Sequence, residues 1–416
     1  MVFLIDFNNK IWYNIYRIGG EKMGITLTKK QEEGLKIAVA RYKNHEPYTC
    51  IAGYAGSGKS TLVNIIVSAL HLYEGQVAYI AYTGKAAQVL RTKGCITAKT
   101  AHKLLYRSVL NERTGKYIHL PRNRLDGPYR LIVIDEVSML PKEMWELLLS
   151  HHIHVLALGD PGQLPPVKAE GNGVLDHPHI FLDEIMRQEQ DSEIIRLTMD
   201  IRAGKPLEFF RGQDVRIVNQ NELNQPGIWS WPDQILVGKN ATRHSINTFL
   251  RKELYGRDNP LPQEGDKIIC LRNDWETSNA SGDALVNGLT GTIERINPRT
   301  PANLFVEKTF LADFIPDYEG SGVFDQLEMD ECLFTTHKLG KNKINPEYSI
   351  PREFAPEQFD YGYAITTHKA QGSEYNKVLV LEEAFRGQSR EDHIRWLYTA
   401  ATRASQKLII VKNYQL

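Results

Sequence analysis

Short runs of apolar residues recur along the chain and predict the strands of buried sheets. In the N-terminal half they are YTCIA (48–52), VAYIAY (77–82), RLIVID (130–135) and IHVLALGD (153–160). Segments with helical apolar spacing separate them: TLVNIIVSALHLY (61–73) places Leu62, Ile66 and Leu70 on one face. Strands that alternate with helices favour a parallel sheet with helices on both faces.

A second series of strands follows in the C-terminal half. Its members are QILVG (234–238), NKVLVLE (376–382) and KLIIVK (407–412). Two such series predict two α/β units. The long segment between strands of the second series, about 263–356, is rich in Gly, Pro, Asn and Asp. Within it, GDKIICLRNDW and LTGTIERI alternate in the way that strands of a small barrel do.

Composition is typical of a globular protein of several domains. The 416 residues are 42% hydrophobic and 24% charged, and a chain this long is expected to form two to four domains. No apolar run approaches the ~18 residues of a membrane helix. The start, MVFLIDF, is interrupted by Asp6 and lacks the basic region of a signal peptide. Four scattered cysteines suggest a reducing cytoplasm rather than a disulfide framework or a metal site.

The formal net charge is zero, but the charges are segregated. Residues 99–130 carry eight Lys and Arg against two acids, whereas residues 309–336 carry seven acids and no Lys or Arg. Local charge decides where a polyanion can lie. Either run is equally well explained as a solvated surface when it is considered alone.

GYAGSGKS (53–60) has the pattern of a phosphate-binding loop between a strand and a helix. Glycines let backbone N–H groups approach phosphates closely, and the following helix adds its dipole. Lys59 is predicted to neutralise the β- and γ-phosphates, and Ser60 to ligate magnesium. The loop therefore predicts a nucleotide site.

Polar residues at the ends of two later strands extend this site. Asp135 is placed to reach the magnesium, and Glu136 to act as general base on the attacking water. Gln163, in GDPGQLPPV (159–167), is placed to bond the γ-phosphate or its water. Upstream, Thr28-x-x-Gln31 is a capping box that predicts a helix starting at Thr28. The alternative interpretation of Asp135-Glu136 is an ordinary acidic pair at a strand end. The alternative for GDPGQLPPV is a proline-bearing loop without a role at the nucleotide.

The order of motifs resembles that of superfamily 1 helicases, more narrowly the RecD-like and phage Dda-like branch. The motifs are Gln31, GYAGSGKS, AYTGKAAQVL, TAHKLL, VIDEVSM, GDPGQLPPV, EIMRQ, YAITTHKAQGSE and LYTAATRA. The resemblance covers residues 25 to 413 and weakens in 103–130 and 300–356. The form GDPGQLPPV separates this branch from the UvrD-like enzymes.

This resemblance implies an α/β fold with two RecA-like motor domains and ATP in the cleft between them. The domains are then an N-terminal arm (1–22), motor domain 1 (23–103 and 130–215), an inserted pin hairpin (104–129), motor domain 2 (216–262 and 357–416) and a small inserted β-barrel with an acidic arm (263–356). The hairpin is expected to turn near Thr114-Gly115.

The resemblance also assigns residues of the ATP site. Gln31 matches the residue that reads adenine, and Gly53, Ala55, Gly56, Ser57, Gly58, Lys59, Ser60 and Thr61 match the phosphate loop. Arg187 and Arg403 match two arginines that reach the γ-phosphate when the cleft is closed. Glu374 is expected to meet the ribose, and Gly372 lets the adjacent turn approach a ligand closely. The cofactors implied are ATP and Mg²⁺.

For DNA, the resemblance implies movement 5′-to-3′ along single strands. Thr83 and Lys85 follow a strand end, where a hydroxyl and an ammonium can take phosphates. Thr100, His102, Thr366, His368 and Gln371 match other DNA-facing positions; His368 could instead be a buried core histidine. The expected partners are single-stranded DNA and its junctions with duplex DNA. Residues 309–336 are a candidate binding site for a basic or single-stranded-DNA-binding protein. A monomer in the cytoplasm of a bacterial or phage-infected cell is expected.

Three other functions are alternatives to an ATP-driven helicase. A P-loop kinase or GTPase has no place for the motifs at 363–374 and 398–404. A DNA-binding accessory protein with a vestigial nucleotide fold does not explain why Lys59, Asp135, Glu136 and Arg403 are all present. A translocase that displaces proteins but unwinds poorly stays open on the sequence.

Overall fold

The computed structural model describes residues 27–111, 116–164, 172–186, 191–297, 303, 305–306, 308–318, 320–345, 350, 354–384 and 387–415, together with three short strands near the N-terminus. These strands, β1 (Leu4–Ile5), β2 (Ile11–Asn14) and β3 (Gly24–Ile25), form an antiparallel sheet in that order. Strands β1 and β2 lie within the predicted arm, residues 1–22, and β3 follows it.

The first α/β unit is built on a parallel sheet of six strands in the order β11-β4-β10-β9-β5-β6. The strands are β4 (Tyr48–Gly53), β5 (Val77–Ala81), β6 (Lys99–Thr100), β9 (Leu131–Ile134), β10 (His154–Gly159) and β11 (Ile180–Leu182). Every residue of β9 and β10 is buried, as expected for central strands covered on both faces. All four strands predicted for this half are confirmed.

Five helices belong to this unit: α1 (Lys29–Lys43), α2 (Lys59–Ala69), α3 (Gly84–Thr92), α4 (Ala101–Leu105) and α5 (Lys142–Leu149). The capping box predicted for α1 is confirmed: Thr28 Oγ1 accepts from Gln31 N, and Gln31 Oε1 accepts from Thr28 N. Leu62, Ile65 and Ile66 of α2 are fully buried, which confirms the predicted apolar face of that helix.

The second α/β unit carries a sheet in the order β12-β13-β24-β23-β14-β22. Its strands are β12 (Phe210–Arg211), β13 (Val215–Val218), β14 (Gln234–Val237), β22 (Ala364–Thr366), β23 (Tyr375–Leu381) and β24 (Ala404–Val411). All neighbours are parallel except β12, an antiparallel edge strand. Helices α6 (Glu193–Arg202), α7 (Asn240–Glu253) and α9 (Arg390–Ala401) accompany it.

A hairpin interrupts the first unit where the sequence predicts one. Strand β7 (Tyr106–Asn111) pairs antiparallel with β8 (Lys116–Pro121), and Asn111 lies opposite Lys116. The predicted turn at Thr114-Gly115 lies outside the described residues. Strand β8 contacts β16 (Asp274–Ser278), a strand of the insertion in the second unit that pairs with β17 (Ala284–Leu285).

That insertion contains an antiparallel sheet in the order β20-β19-β18-β15-β21. The strands are β15 (Lys267–Cys270), β18 (Thr290–Asn297), β19 (Thr309–Pro316), β20 (Phe324–Asp330) and β21 (Phe359–Tyr361). A bridge between Met329 and Glu357 brings the two edges together. The sheet therefore curls as the predicted small barrel does, around a core that includes the fully buried Phe314, Phe324 and Phe359.

The acidic segment 309–336 is part of this sheet rather than a separate arm. It forms β19, β20 and helix α8 (Glu331–Thr336). Its carboxylates also have partners: Asp313 pairs with Arg295 at 2.6 Å, and Asp330 caps α8 by accepting from Cys332 N. The counter-charge of Asp313 comes from outside the segment, since Arg295 lies on the neighbouring strand β18. Within the described residues, no helix is long and apolar enough to span a bilayer.

Candidate functional site

The glycine-rich loop lies between the carboxyl end of β4 and the first turn of α2. Gly56 and Gly58 have φ of 74° and 77°, in the left-handed region that favours glycine. A Cβ at Gly58 would come within 2.5 Å of Gln31 Nε2. The chain therefore turns sharply here, and the backbone N–H groups at the start of α2 face the space beside the loop, as an anion site requires.

Lys59 lies at this helix start, and its ammonium is held by the loop itself. Nζ donates to Gly53 O at 2.6 Å and to Tyr54 O at 3.0 Å. Within the described part of the chain, the buried Ser57 hydroxyl has no hydrogen-bond partner. A cation held at the loop and an unsatisfied hydroxyl inside it fit the binding of an anion with several oxygens, as a nucleotide triphosphate has.

Gln31 reaches this loop from α1. Its side chain is buried, and its Nε2 donates to Ser57 O at 3.3 Å while its Oε1 caps the helix. The amide thus joins the helix start to the phosphate-loop backbone. Its assignment to adenine stays a prediction.

Asp135 and Glu136 follow β9 and face the loop. Asp135 Oδ1 accepts from Glu136 N at 3.0 Å, and Glu136 has φ of 55°. Such a backbone is rare outside glycine and asparagine, and it occurs preferentially at functional sites. Burial raises the pKa of the Glu136 carboxyl, against the opposing effect of Arg403. A carboxylate with a raised pKa is suited to accept a proton.

Arg403 comes from the second unit, two residues past the end of α9. Its Nε donates to Thr399 O at 3.1 Å and its Nη1 to Ser373 O at 3.1 Å. Its Nη2 donates to Thr402 Oγ1 at 3.1 Å and also lies 4.0 Å from Glu136 Oε1 of the first unit. A guanidinium from one unit therefore faces a carboxylate of the other.

One cavity of about 520 Å³ collects most of the predicted ATP-site residues. From the first unit it is lined by Ala55, Gly56, Ser57, Gly58, Lys59, Ser60, Thr61, Asp135, Glu136 and Gln163, and from the second by Gly372, Glu374 and Arg403. Gly53 ends the preceding strand. Glu374 accepts from Lys93, the residue after α3, at 3.0 Å, a further contact between the units. Arg187 lies outside the described residues.

Tyr398 of α9 is a residue of this cleft that sequence reasoning missed. Its hydroxyl accepts from Ala55 N at 2.9 Å and donates to Asp160 Oδ2 at 2.7 Å. Asp160 itself lines the cavity. The only signal in the sequence is its place within LYTAATRA, five residues before Arg403.

A second cavity, of about 660 Å³, is lined by both units and by the insertion. It brings together five residues predicted to face DNA: Thr83, Lys85, Thr366, His368 and Gln371. Asn273 and Asn287 of the insertion also line it, and Asn287 Oδ1 accepts from Lys369 Nζ at 2.9 Å. Hydroxyl, amide and ammonium groups of this kind can take phosphates and base edges.

Lys85 is engaged inside the protein. It is 8% exposed, its Nζ lies 3.9 Å from the Tyr375 ring centroid, and it is 3.9 Å from Asp317 Oδ2. Burial lowers its pKa, and Asp317 opposes the shift. Gln371 also has a hydrogen-bond partner within the protein: its Nε2 donates to Leu164 O of the first unit.

Thr100 and His102 are not among the residues that line this cavity. The Thr100 hydroxyl caps α4 by accepting from Lys103 N at 3.1 Å. His102 is buried, stacks on Tyr106 with ring centroids 4.6 Å apart, and touches His119 edge-on. Burial and His119 lower the pKa of His102 to about 3, so this ring is neutral at physiological pH.

Comparison with known proteins supports the same interpretation. A model of the AAA domain family matches residues 26–220, and a model of the UvrD-like helicase C-terminal domain matches residues 361–411. The chain is 26% identical over 383 residues to the ATP-dependent RecD2 DNA helicase of Deinococcus radiodurans, covering 86% of this chain and 46% of that protein. It is 26% identical over 191 residues to the ATP-dependent DNA helicase dda of Enterobacteria phage T4, covering 43% of each.

The chain thus spans less than half of these two relatives. It spans 98% of an uncharacterized protein of Acanthamoeba polyphaga mimivirus, at 23% identity and with 92% of this chain covered. Among solved structures, one of Pif1 helicases, described in connection with DNA unwinding at forked double-stranded DNA, covers 94% of this chain and 93% of its own, at 17% identity and a TM-score of 0.50. That likeness shows the fold. Across both α/β units, the chain is therefore similar to superfamily 1 helicases of the RecD-like and Dda-like branch.

Proposed function

We propose that this protein is an ATP-driven DNA helicase that moves 5′-to-3′ on single-stranded DNA and unwinds duplex. The observation that carries the proposal is the cleft between the two α/β units. The phosphate loop, Asp135 and Glu136 lie on one side of it, and Arg403 on the other. A site completed by both units ties hydrolysis to their relative movement.

ATP would bind with its phosphates on the loop that ends at Ser60. The Lys59 ammonium would exchange the carbonyls of Gly53 and Tyr54 for phosphate oxygens. Mg²⁺ fits the oxygen donors Ser60 and Asp135, which line the same cavity, and when bound it would neutralise charge on the β- and γ-phosphates.

The protein groups divide the chemistry among them. Glu136 accepts the proton of the attacking water, for which its raised pKa suits it. Gln163 orients that water or the γ-phosphate. Arg403 stabilises the charge that develops in the transition state, and it does so only when the units are closed.

DNA would lie in the second cavity, next to the ATP cleft. Gly372 and Ser373 connect the two, since Ser373 lines both cavities and Gly372 follows Gln371. The proposed polarity of movement and the strand-separating role of the β7–β8 hairpin rest on the resemblance to superfamily 1 helicases. A translocase that displaces proteins and unwinds poorly is the second candidate, because it would use the same ATP cleft and the same cavity for single-stranded DNA.

The test is ATP hydrolysis with and without single-stranded DNA, paired with unwinding of 5′-tailed and 3′-tailed duplexes. We expect DNA-stimulated hydrolysis and unwinding of the 5′-tailed duplex. Preferential unwinding of the 3′-tailed duplex would refute the polarity. Stimulated hydrolysis with displacement of DNA-bound streptavidin but without strand separation would favour the translocase.

A further inference from the structure

The loop that carries Gln163 is held by the second unit on both sides of that residue. Before it, Asp160 Oδ2 accepts from the Tyr398 hydroxyl at 2.7 Å. After it, Leu164 N donates to Thr399 Oγ1 at 2.8 Å, and Leu164 O accepts from Gln371 Nε2. The position of Gln163 therefore depends on contacts that cross the cleft.

Tyr398 also reaches the phosphate loop. Its hydroxyl accepts from Ala55 N at 2.9 Å while it donates to Asp160. Asp160 Oδ1 in turn accepts from Gly162 N at 2.9 Å. The Tyr398 hydroxyl oxygen thus connects the start of the phosphate loop to the loop of Gln163 through consecutive hydrogen bonds.

The surroundings keep this hydroxyl in place. Tyr398 is 1% exposed, and Asp160 is 4% exposed. A Cβ at Gly162 would come within 3.1 Å of the Tyr398 ring, so the glycine permits the close approach of that ring. Burial, reinforced by Asp160, raises the pKa of Tyr398 far above its usual range. The hydroxyl remains a donor to Asp160 at any working pH.

The same helix connects Tyr398 to Arg403. Arg403 Nε donates to Thr399 O, and Thr399 itself bonds Leu164. Movement of α9 away from the first unit would withdraw the arginine from Glu136 and break the hydroxyl contacts together. We propose that Tyr398 is a positioning residue for ATP hydrolysis, which acts through Asp160 and Ala55 to place Gln163 when the cleft closes. This inference rests on the proposed function.

Tyr398→Phe tests it, because it removes one oxygen and keeps the ring. We expect the DNA-stimulated kcat to fall roughly tenfold to a hundredfold, the factor that corresponds to losing a hydrogen bond to a charged group, while the KM for ATP and the affinity for single-stranded DNA change little. A purely structural tyrosine would lower stability without this selective loss. Tyr361→Phe is the matched control: Tyr361 is also buried, its hydroxyl donates to Pro260 O at 2.8 Å, and neither residue lines the ATP cavity.

A double-mutant cycle that combines Tyr398→Phe with Gln163→Ala tests whether Tyr398 acts through Gln163. If Tyr398 acts through Gln163, the double variant is little slower than Gln163→Ala alone. Effects that multiply independently, or a Tyr398→Phe variant with the kcat of wild type, would overturn the inference. If Tyr398→Phe does not fold, Asp160→Asn takes its place, because it weakens the same hydrogen bond. Its effect on kcat must then also fail to add to that of Gln163→Ala. A wild type without DNA-stimulated hydrolysis would instead mean that the proposed function fails.

Discussion

Arg403 Nη2 lies 4.0 Å from Glu136 Oε1, across the cleft between the two α/β units. The two side chains come from different sheets: Glu136 follows β9, and Arg403 lies between α9 and β24. Both are largely buried, so solvent screens their interaction only weakly. A base and a cation that meet only across this boundary make catalysis sensitive to how the two units are arranged.

Replacing Arg403 tests this arrangement. Arg403→Ala should still bind ATP and DNA. Its rate of DNA-stimulated ATP hydrolysis should fall about 10³-fold, the scale of arginine-finger effects. Steady-state ATPase with saturating single-stranded DNA measures it. Arg395→Ala is the control, since Arg395 lies on α9, eight residues before Arg403, but pairs at the surface with Glu391. An unchanged stimulated rate in Arg403→Ala would exclude the residue from the reaction.

Lys59 should be indispensable for turnover. Lys59→Ala removes the cation that the loop carbonyls hold beside the phosphate site, and we expect ATP hydrolysis to fall to background. Lys36→Ala, at an exposed position on α1, should hydrolyse ATP normally. Near-normal turnover in Lys59→Ala would contradict the whole assignment of the cleft.

Glu136→Gln separates ATP binding from hydrolysis. A neutral amide of the same size cannot accept the proton of water, so the variant should bind ATP and hydrolyse it very slowly. Equilibrium binding of a fluorescent ATP analogue and single-turnover hydrolysis measure the two steps. Glu143→Gln, an exposed glutamate on α5, serves as control. Loss of ATP binding in Glu136→Gln would indicate a structural or metal-binding carboxylate instead.

The same variant should alter the dependence of stability on pH. Burial raises the pKa of Glu136 in the folded state, so the folded protein holds this proton more tightly than the unfolded chain. Stability therefore falls as pH rises from the unfolded pKa, about 4.5, through the folded pKa, and the deficit persists above it. Glu136→Gln should raise the Tm at pH 7.5 and have less effect near pH 4.5. Thermal unfolding at both pH values measures this; equal shifts at both would contradict it.

The ATP site was predictable because its residues lie at strand ends and helix starts that the local sequence defines. Asp135 and Gln163 follow apolar runs, and Lys59 opens a helix, so topology alone brings them together. The hydroxyl contacts of Tyr398 were not predictable, because its partners Ala55 and Asp160 are more than two hundred residues away. Nothing local to a tyrosine on a buried helix indicates which backbone amide it will meet.

In the acidic segment 309–336, by contrast, the local sequence pattern itself indicates the structure. Residues 309–336 carry seven acids and no Lys or Arg, but FLADFI and VFDQLEM also alternate apolar and polar residues as strands do. The structure places Phe314 and Phe324 in the core and leaves part of the acidic face to Arg295 and Lys85. Replacing 311–335 by a flexible link would remove two strands of the sheet, so a point substitution is the sharper probe of this segment.

Asp317→Asn is that probe. Asp317 lies 3.9 Å from Lys85 Nζ, at the cavity proposed for DNA, and it also accepts from Thr290 Oγ1 at 2.6 Å. Neutralising it removes a carboxylate that competes with DNA phosphates for Lys85, so affinity for single-stranded DNA should rise, by up to about fivefold on the scale of partly exposed ion pairs. Fluorescence anisotropy with an oligothymidylate at two salt concentrations measures the change, which should shrink at the higher salt. Asp325→Asn removes the same charge from an exposed position on β20 and should have a smaller effect. Equal gains in both variants would mean that general repulsion, and not the contact with Lys85, limits binding.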